Sequence, residues 1–154
     1  MKEMRRKDRQ LSLEDTLAVL EQGEYGILST TCKDGTPYGV PVSYAYSNGC
    51  IYFHCARNAG LKLENIGNTA DVCFTVVGKT ELLPAKFSTK YESVILFGKA
   101  RVLGENEKKE PLMKLIEKYS PAYMETGRKY VEKSASETDI VEISIKSITG
   151  KGRK

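Results

Sequence analysis

The sequence predicts a mainly β protein: a small antiparallel barrel of six strands with short peripheral helices. Runs that alternate apolar and polar residues recur along the chain, Asn-Gly and Asp-Gly turn signals separate them, and the helical segments between them are brief. A doubly wound sheet is disfavoured, because it would need regular strand and helix alternation. With 154 residues, 40% of them hydrophobic, and five prolines, the chain suits one domain over residues 1–154. Its core should bury roughly two thirds of the extended chain's surface.

Ser12 and Asp15 resemble a capping box, and Leu13, Leu17 and Leu20 follow at helical spacing before Gly23, predicting a helix over 12–22. Gly26 to Cys32 reads as a strand. Lys33, Asp34 and Gly35 turn it into a second run, Thr36 to Tyr46, completing an antiparallel hairpin. Asn48 and Gly49, which tolerate positive φ, turn the chain again into Cys50 to Cys55, the third strand of a meander. Asn58 to Ile66 loses alternation and reads as a short helix. Asp71 to Val77 is apolar on both faces and Val94 to Leu103 follows as the fifth strand; both belong near the centre of the barrel or sheet. Leu112, Leu115, Ile116 and Tyr119 mark a second amphipathic helix. Pro111 has no amide hydrogen, so that helix starts near Glu110 or kinks. Residues 120–137 are polar and show no decisive period. In the final strand Val141, Ile143 and Ile145 alternate with Glu142, Ser144 and Lys146, and Gly150 opens a basic tail. Both basic ends, Lys2 to Arg9 and Lys151 to Lys154, are expected to be flexible and solvated.

Lys and Arg exceed Asp and Glu by 24 to 20, a net charge of +4 that favours solubility and argues only weakly for nucleic acid. Tyr38, Tyr44, Tyr46 and Tyr52 fall on both strand faces, so no stacking platform forms and nucleic acid is not the expected partner. No run reaches the roughly 20 apolar residues of a membrane span, and the charged start lacks a signal-peptide core, so the cytoplasm is the expected compartment. Cys32, Cys50, Cys55 and Cys73 show no CxxC pair and read as reduced thiols in or near the core. His54 is the single histidine. Two-histidine and three-histidine metal sites are therefore excluded, and a site from His54, Cys50 and Cys55 lacks a fourth ligand. Hydrolase, metalloprotease and dinucleotide-binding motifs are absent.

Two segments carry chemistry. His54 ends a strand just before a helix start, where unpaired amides, Lys62 and Arg57 can meet a phosphate and Gly60 keeps side chains clear. The run Gly39-Val40-Pro41-Val42-Ser43-Tyr44-Ala45-Tyr46 offers an apolar wall with hydroxyls, suited to a flat conjugated ring; its Pro41 cannot donate to a neighbouring strand.

Gly35-Thr36-Pro37-Tyr38-Gly39-Val40-Pro41-Val42-Ser43-Tyr44, Ile51-Tyr52-Phe53-His54-Cys55-Ala56 and Gly60-Leu61-Lys62 resemble the pyridoxamine phosphate oxidase-like flavin-binding split barrels, specifically their nitroimidazole-resistance subgroup. Arg5 to Arg9, Tyr91 to Gly98 and Ile148 to Lys151 extend the resemblance over nearly the whole chain. It implies a six-stranded split barrel and a homodimer with FMN at the subunit interface. The phosphate would sit by His54, Ala56, Gly60 and Lys62, the ring beside Val42, Ser43 and Tyr44, and Tyr91 and Ser93 would serve the pocket or its phosphate end. The implied activity is reduction of a small electron acceptor, a nitroaromatic by the subgroup's name. It assigns no catalytic residue; His54 is a candidate for the substrate cleft. The alternative is a non-catalytic flavin-binding or regulatory protein of the same fold.

Overall fold

Local chemistry sets most element ends. Ser12 Oγ accepts from the Asp15 amide at 3.0 Å, capping the helix α1 (Leu13–Gln22). Asp34 Oδ1 accepts from the Thr36 amide at 3.0 Å in the turn between β1 (Gly26–Thr31) and β2 (Pro37–Val42). Asn48 and Gly49, at φ 50° and 76°, make the turn from β3 (Ala45–Ser47) to β4 (Cys50–Ala56). The chain continues through α2 (Leu61–Asn68), β5 (Asp71–Leu83), β6 (Ser88–Val102), α3 (Lys109–Tyr119), α4 (Met124–Ser134) and β7 (Thr138–Arg153). This computed structural model describes residues 3–153; Lys2 and Lys154, in the two basic ends, lie outside them. Pro111 is the third residue of α3, in the first turn, where an amide has no partner within the helix to lose.

The expected six-stranded antiparallel split β-barrel with short peripheral helices is corrected. Among the described residues seven strands form one antiparallel sheet in the order β2-β1-β5-β6-β7-β4-β3, and no ladder joins its two edges. The run Thr36 to Tyr46 is two strands, not one. β2 pairs with β1 and β3 with β4, so the chain leaves one edge of the sheet at Val42 and enters the other at Ala45. Three Cα steps of about 3.8 Å hold those ends within roughly 11 Å of each other; the sheet curls until its edges approach, then stops short of pairing. The physical cause lies in α3. The Tyr44 amide donates to Tyr119 Oη at 2.9 Å, and that hydroxyl is 2.6 Å from the Glu24 carbonyl and 3.0 Å from the Tyr44 carbonyl. A side chain thus takes the backbone groups that a closing ladder would use.

β5 and β6 lie third and fourth of the seven strands, near the centre of the sheet as expected for Asp71 to Val77 and Val94 to Leu103. One face carries Phe74, Val76, Val94 and Leu96 into a core shared with Leu28, Phe53 and Ile143, and with Val19 and Leu20 of α1. The helices are more than peripheral: α1 fills the concave side, and α3 and α4 pack together, Gly127 lying where a Cβ would come within 2.4 Å of Ile116. β7 also runs past Gly150, where the basic tail was expected, to Arg153. There it pairs with β6 on one side, and on the other Gln10 bridges Lys151, while the Leu11 amide donates to the Gly150 carbonyl at 3.0 Å. Among the described residues no helix is long and apolar enough to cross a membrane.

Candidate functional site

Strand alternation sorts the residues around His54. Ile51, Phe53 and Cys55 point into the core, whereas His54 and Ala56 lie on the exposed side of β4. Beyond Ala56 the chain is tied down closely. The Arg57 amide donates to the Glu137 carbonyl at 3.2 Å, the Asn58 amide to Asp139 Oδ2 at 2.7 Å, and Arg57 Nη1 to the Ser136 carbonyl at 2.6 Å. Arg57 also pairs with Glu105 at 3.4 Å. Its cation is therefore engaged with the protein instead of facing the helix start as the sequence suggested.

Gly60, at φ 93°, caps α2 without a side-chain hydrogen bond. This backbone favours glycine, and Lys62 Nζ lies 3.4 Å from where a Cβ would stand, so the ammonium folds back over the amino end of the helix. The Leu63 and Glu64 amides already reach the Gly60 carbonyl. Among the described residues no acceptor reaches the amides of Leu61 and Lys62. Cation, open amides and an empty Cβ position form a cradle of the kind that suits a phosphate group. Burial pushes the Cys55 thiol up, and the nearby Lys62 charge opposes that rise; Lys62 is thus the electrostatic neighbour of the inward Cys55.

Sequence reasoning missed what holds this corner. Lys108 is almost wholly buried, its Nζ 2.8 Å from Glu105 Oε1 and 2.7 Å from the Thr138 carbonyl, with the buried Asp139 carboxylate 3.7 Å away. Asp139 therefore joins Asn58 to Lys108 and fixes the turn from β4 into α2. A lone Asp at a strand start was the one available signal; nothing local marks Lys108, which sits in an ordinary charge run.

Val42, Ser43 and Tyr44 occupy the junction between the sheet edges. Val42 is half-buried and Ser43 exposed. Tyr44 is fully buried, its ring edge-on to Phe74 at 5.0 Å and its hydroxyl donating to the Leu20 carbonyl. Ser43 faces a cavity of about 670 Å³ shared with Glu24, Tyr25, Lys118 and Tyr119.

Tyr91 and Ser93 lie elsewhere, on the β6 face opposite the core, paired with Arg153 and Lys151 of β7. Ser93 Oγ is 3.5 Å from the Lys151 carbonyl, and Arg9, then Lys151, beside the Tyr91 hydroxyl hold that phenol below its ordinary value. The nine expected cofactor residues thus form three groups: His54, Ala56, Gly60 and Lys62; Val42 to Tyr44; and Tyr91 with Ser93. Among the described residues no hydrogen bond, ion pair or ring contact links one group to another.

Comparison with known proteins shows the family. A family model described as pyridoxamine 5'-phosphate oxidase matches residues 12–152. A search of the curated proteins gave no match. Among solved structures, the chain is similar to a candidate 5-nitroimidazole antibiotic resistance protein from Bacteroides thetaiotaomicron, at 21% identity over 93% of this chain and 86% of that one, with a TM-score of 0.77. It is also similar to the flavocytochrome Anf3 from Azotobacter vinelandii, at 22% identity over 99% and 72%, TM-score 0.80. A third is the FAD binding protein from Mycobacterium smegmatis, at 19% identity over 94% and 98%, TM-score 0.64. These likenesses share the fold, and the family match spans nearly the whole sheet: from Ser12 to Gly152 this chain belongs to the pyridoxamine 5'-phosphate oxidase-like family of flavin-binding proteins.

Proposed function

We propose that the protein is an FMN-dependent oxidoreductase that works as a homodimer, with the cofactor at the subunit interface, and passes electrons to a small acceptor of the nitroaromatic type. The observation that carries this reading is Lys62 folded over Gly60 at the open end of α2. When bound, the isoalloxazine supplies reversible electron transfer. The chain's own residues bind and orient. Lys62 and the amides of Leu61 and Lys62 hold the anionic end; one cation suits a single phosphate ester, hence FMN over FAD. Val42 and Ser43 give the ring an apolar wall with one hydroxyl, and the buried Tyr44 fixes that wall from behind. His54, exposed beside the phosphate corner, faces the substrate cleft, and Tyr91 and Ser93 complete the pocket from the second copy.

Two features support the homodimer. Val77, Ile95 and Phe97 are 55%, 42% and 43% exposed on the sheet face opposite the core, an apolar surface for a second copy. The three groups of cofactor residues, unlinked within one chain, need that copy to enclose one ligand. The visible spectrum of purified, FMN-supplemented protein tests the cofactor: flavin bands, near-stoichiometric FMN on denaturation, and at least tenfold weaker binding in Lys62→Gln are expected. Absence of flavin affinity overturns the reading. Anaerobically reduced protein mixed with a nitroimidazole should reoxidise; tight FMN binding with no reoxidation by any acceptor supports the storage or sensing role instead.

A further inference from the structure

Lys118, in the last turn of α3, carries the one buried side-chain polar atom among the described residues that has no hydrogen-bond partner. Its Nζ lies 3.8 Å from the centre of the Tyr44 ring and 5.3 Å from that of Tyr119. The residue lines the cavity of about 670 Å³ together with Glu21, Glu24, Tyr25, Ser43 and Tyr119. A buried ammonium is ordinarily met by a carboxylate or by several acceptors. Here the two carboxylates of the cavity, on exposed Glu21 of α1 and exposed Glu24 just before β1, make no hydrogen bond to it, and burial alone acts on its pKa, lowering it to about 8. Neither tyrosine needs this amine for support. The Tyr44 hydroxyl is already held by the Leu20 carbonyl, and that of Tyr119 by the Glu24 and Tyr44 carbonyls.

A lysine desolvated in this way holds a free lone pair at near-neutral pH and is a nucleophile toward a carbonyl carbon. Rotation of its stem between staggered wells carries the amine from the Tyr44 ring into the cavity with no change of backbone. The cavity in turn limits the carbonyl compound. Tyr25 and Tyr119 give it apolar walls, Ser43 offers a hydroxyl to the carbonyl oxygen, and Glu21 and Glu24 repel an anion.

We propose that Lys118 is a nucleophilic amine that forms a reversible imine with a small uncharged aldehyde admitted by the cavity beside Ser43. The inference goes beyond the proposed oxidoreductase reading and does not rest on it. The nitrogen lone pair forms a bond to the carbonyl carbon, the carbonyl electron pair moves to oxygen, and that oxygen takes the proton released by nitrogen. Loss of water then leaves the imine. One amine and one aldehyde become one imine and one water, with nothing oxidised or reduced.

Propionaldehyde with sodium cyanoborohydride, which traps an imine as a stable secondary amine, is the probe, applied to full-length protein with and without FMN and read by peptide mass spectrometry. At about pH 7.5 Lys118 should take the label at least about tenfold faster than exposed Lys129, and its rate should level off above about pH 8 while that of Lys129 still climbs. Relative to Lys129, the anionic aldehyde glyoxylate should favour Lys118 at least about threefold less than propionaldehyde does, and Glu21→Gln combined with Glu24→Gln should narrow that gap. Lys118→Met and Lys118→Arg should both abolish the fast phase while keeping a cooperative melting transition. The proposal is overturned if Lys118 reacts no faster than Lys129, if the fast phase survives in either variant, or if added FMN abolishes the labelling, which would assign the cavity to the flavin. Flavin affinity, read separately from the visible spectrum, reports on the oxidoreductase reading alone.

Discussion

Replacing Lys118 with Met should stabilise the protein near neutral pH. The Lys118 ammonium is buried with no hydrogen-bond partner among the described residues, 3.8 Å from the centre of the Tyr44 ring. Burial lowers its pKa from the ordinary 10.5 to about 8. At about 1.36 kcal/mol per tenfold change in proton affinity, that is a ceiling of about 3 kcal/mol against the charged form. The side chain is only part-buried, and solvent screening reduces the ceiling to about 1.5–2 kcal/mol. Attraction to the Tyr44 ring returns about 0.5–1 kcal/mol, so desolvation wins and the net cost is about 1 kcal/mol. Met keeps the stem without the charge. Lys118→Met should therefore raise the melting temperature by about 2–4 °C at pH 7. Between pH 8 and 10.5 the native lysine is neutral while the unfolded chain still binds the proton, so wild-type stability from this group rises with pH and the variant's advantage shrinks. Tyr44 and Tyr119, both pushed up by burial, stay neutral over most of that window. Paired thermal melts of wild type and variant from pH 6.5 to 10 measure the difference. A variant less stable at pH 7, or an advantage that does not decline toward pH 10, would refute the reasoning.

Tyr119→Phe removes the hydroxyl that occupies the Tyr44 amide; urea unfolding should show a loss of about 1–3 kcal/mol, and hydrogen exchange at Tyr44 should accelerate by at least tenfold. Asp139→Ala takes the acceptor from Asn58 and one partner from buried Lys108, costing about 2–4 kcal/mol in the same assay and weakening FMN binding through the displaced turn before α2. Phe74→Ala, emptying a fully buried core position, should cost about 3–5 kcal/mol, with a matching fall in denaturation midpoint.

Where sequence and fold agree, the determinants are local. The capped start of α1, the Asp34-Gly35 and Asn48-Gly49 turns and the first-turn Pro111 are each decided by neighbours a few residues away. The central position of β5 is legible because Asp71 to Val77 is apolar on both faces, although Val77, with Ile95 and Phe97 of β6, is exposed on the face away from the core. The break after Val42 was invisible because its cause, Tyr119, is 75 residues distant from Tyr44; alternation through Ser43 and Tyr44 continues as though one strand ran on. The end of β7 was hidden for a similar reason, since Lys151, Gly152 and Arg153 have no apolar pattern and are held by β6 and the amino-terminal segment. α4 is polar along most of its length and owes its place to Val131 and to the close approach of Gly127 to Ile116. At the candidate site, the closeness of Gly60 and Lys62 at the start of α2 was legible because the two lie two residues apart. Their supporting pair, Lys108 and Asp139, was not, because burial of a charge depends on a partner the sequence does not bring near.

The two margins of the sheet also govern how copies of the chain can meet. Pro37 and Pro41 remove donors from the outer strand β2, and β3 at the far margin has three residues. Neither offers the long, regular row of backbone groups on which another molecule's strand could grow. Ribbon-like polymerisation by strand addition is thereby discouraged at both ends, so the proposed homodimer would have to form through the exposed face over β5 and β6 instead of through a sheet margin.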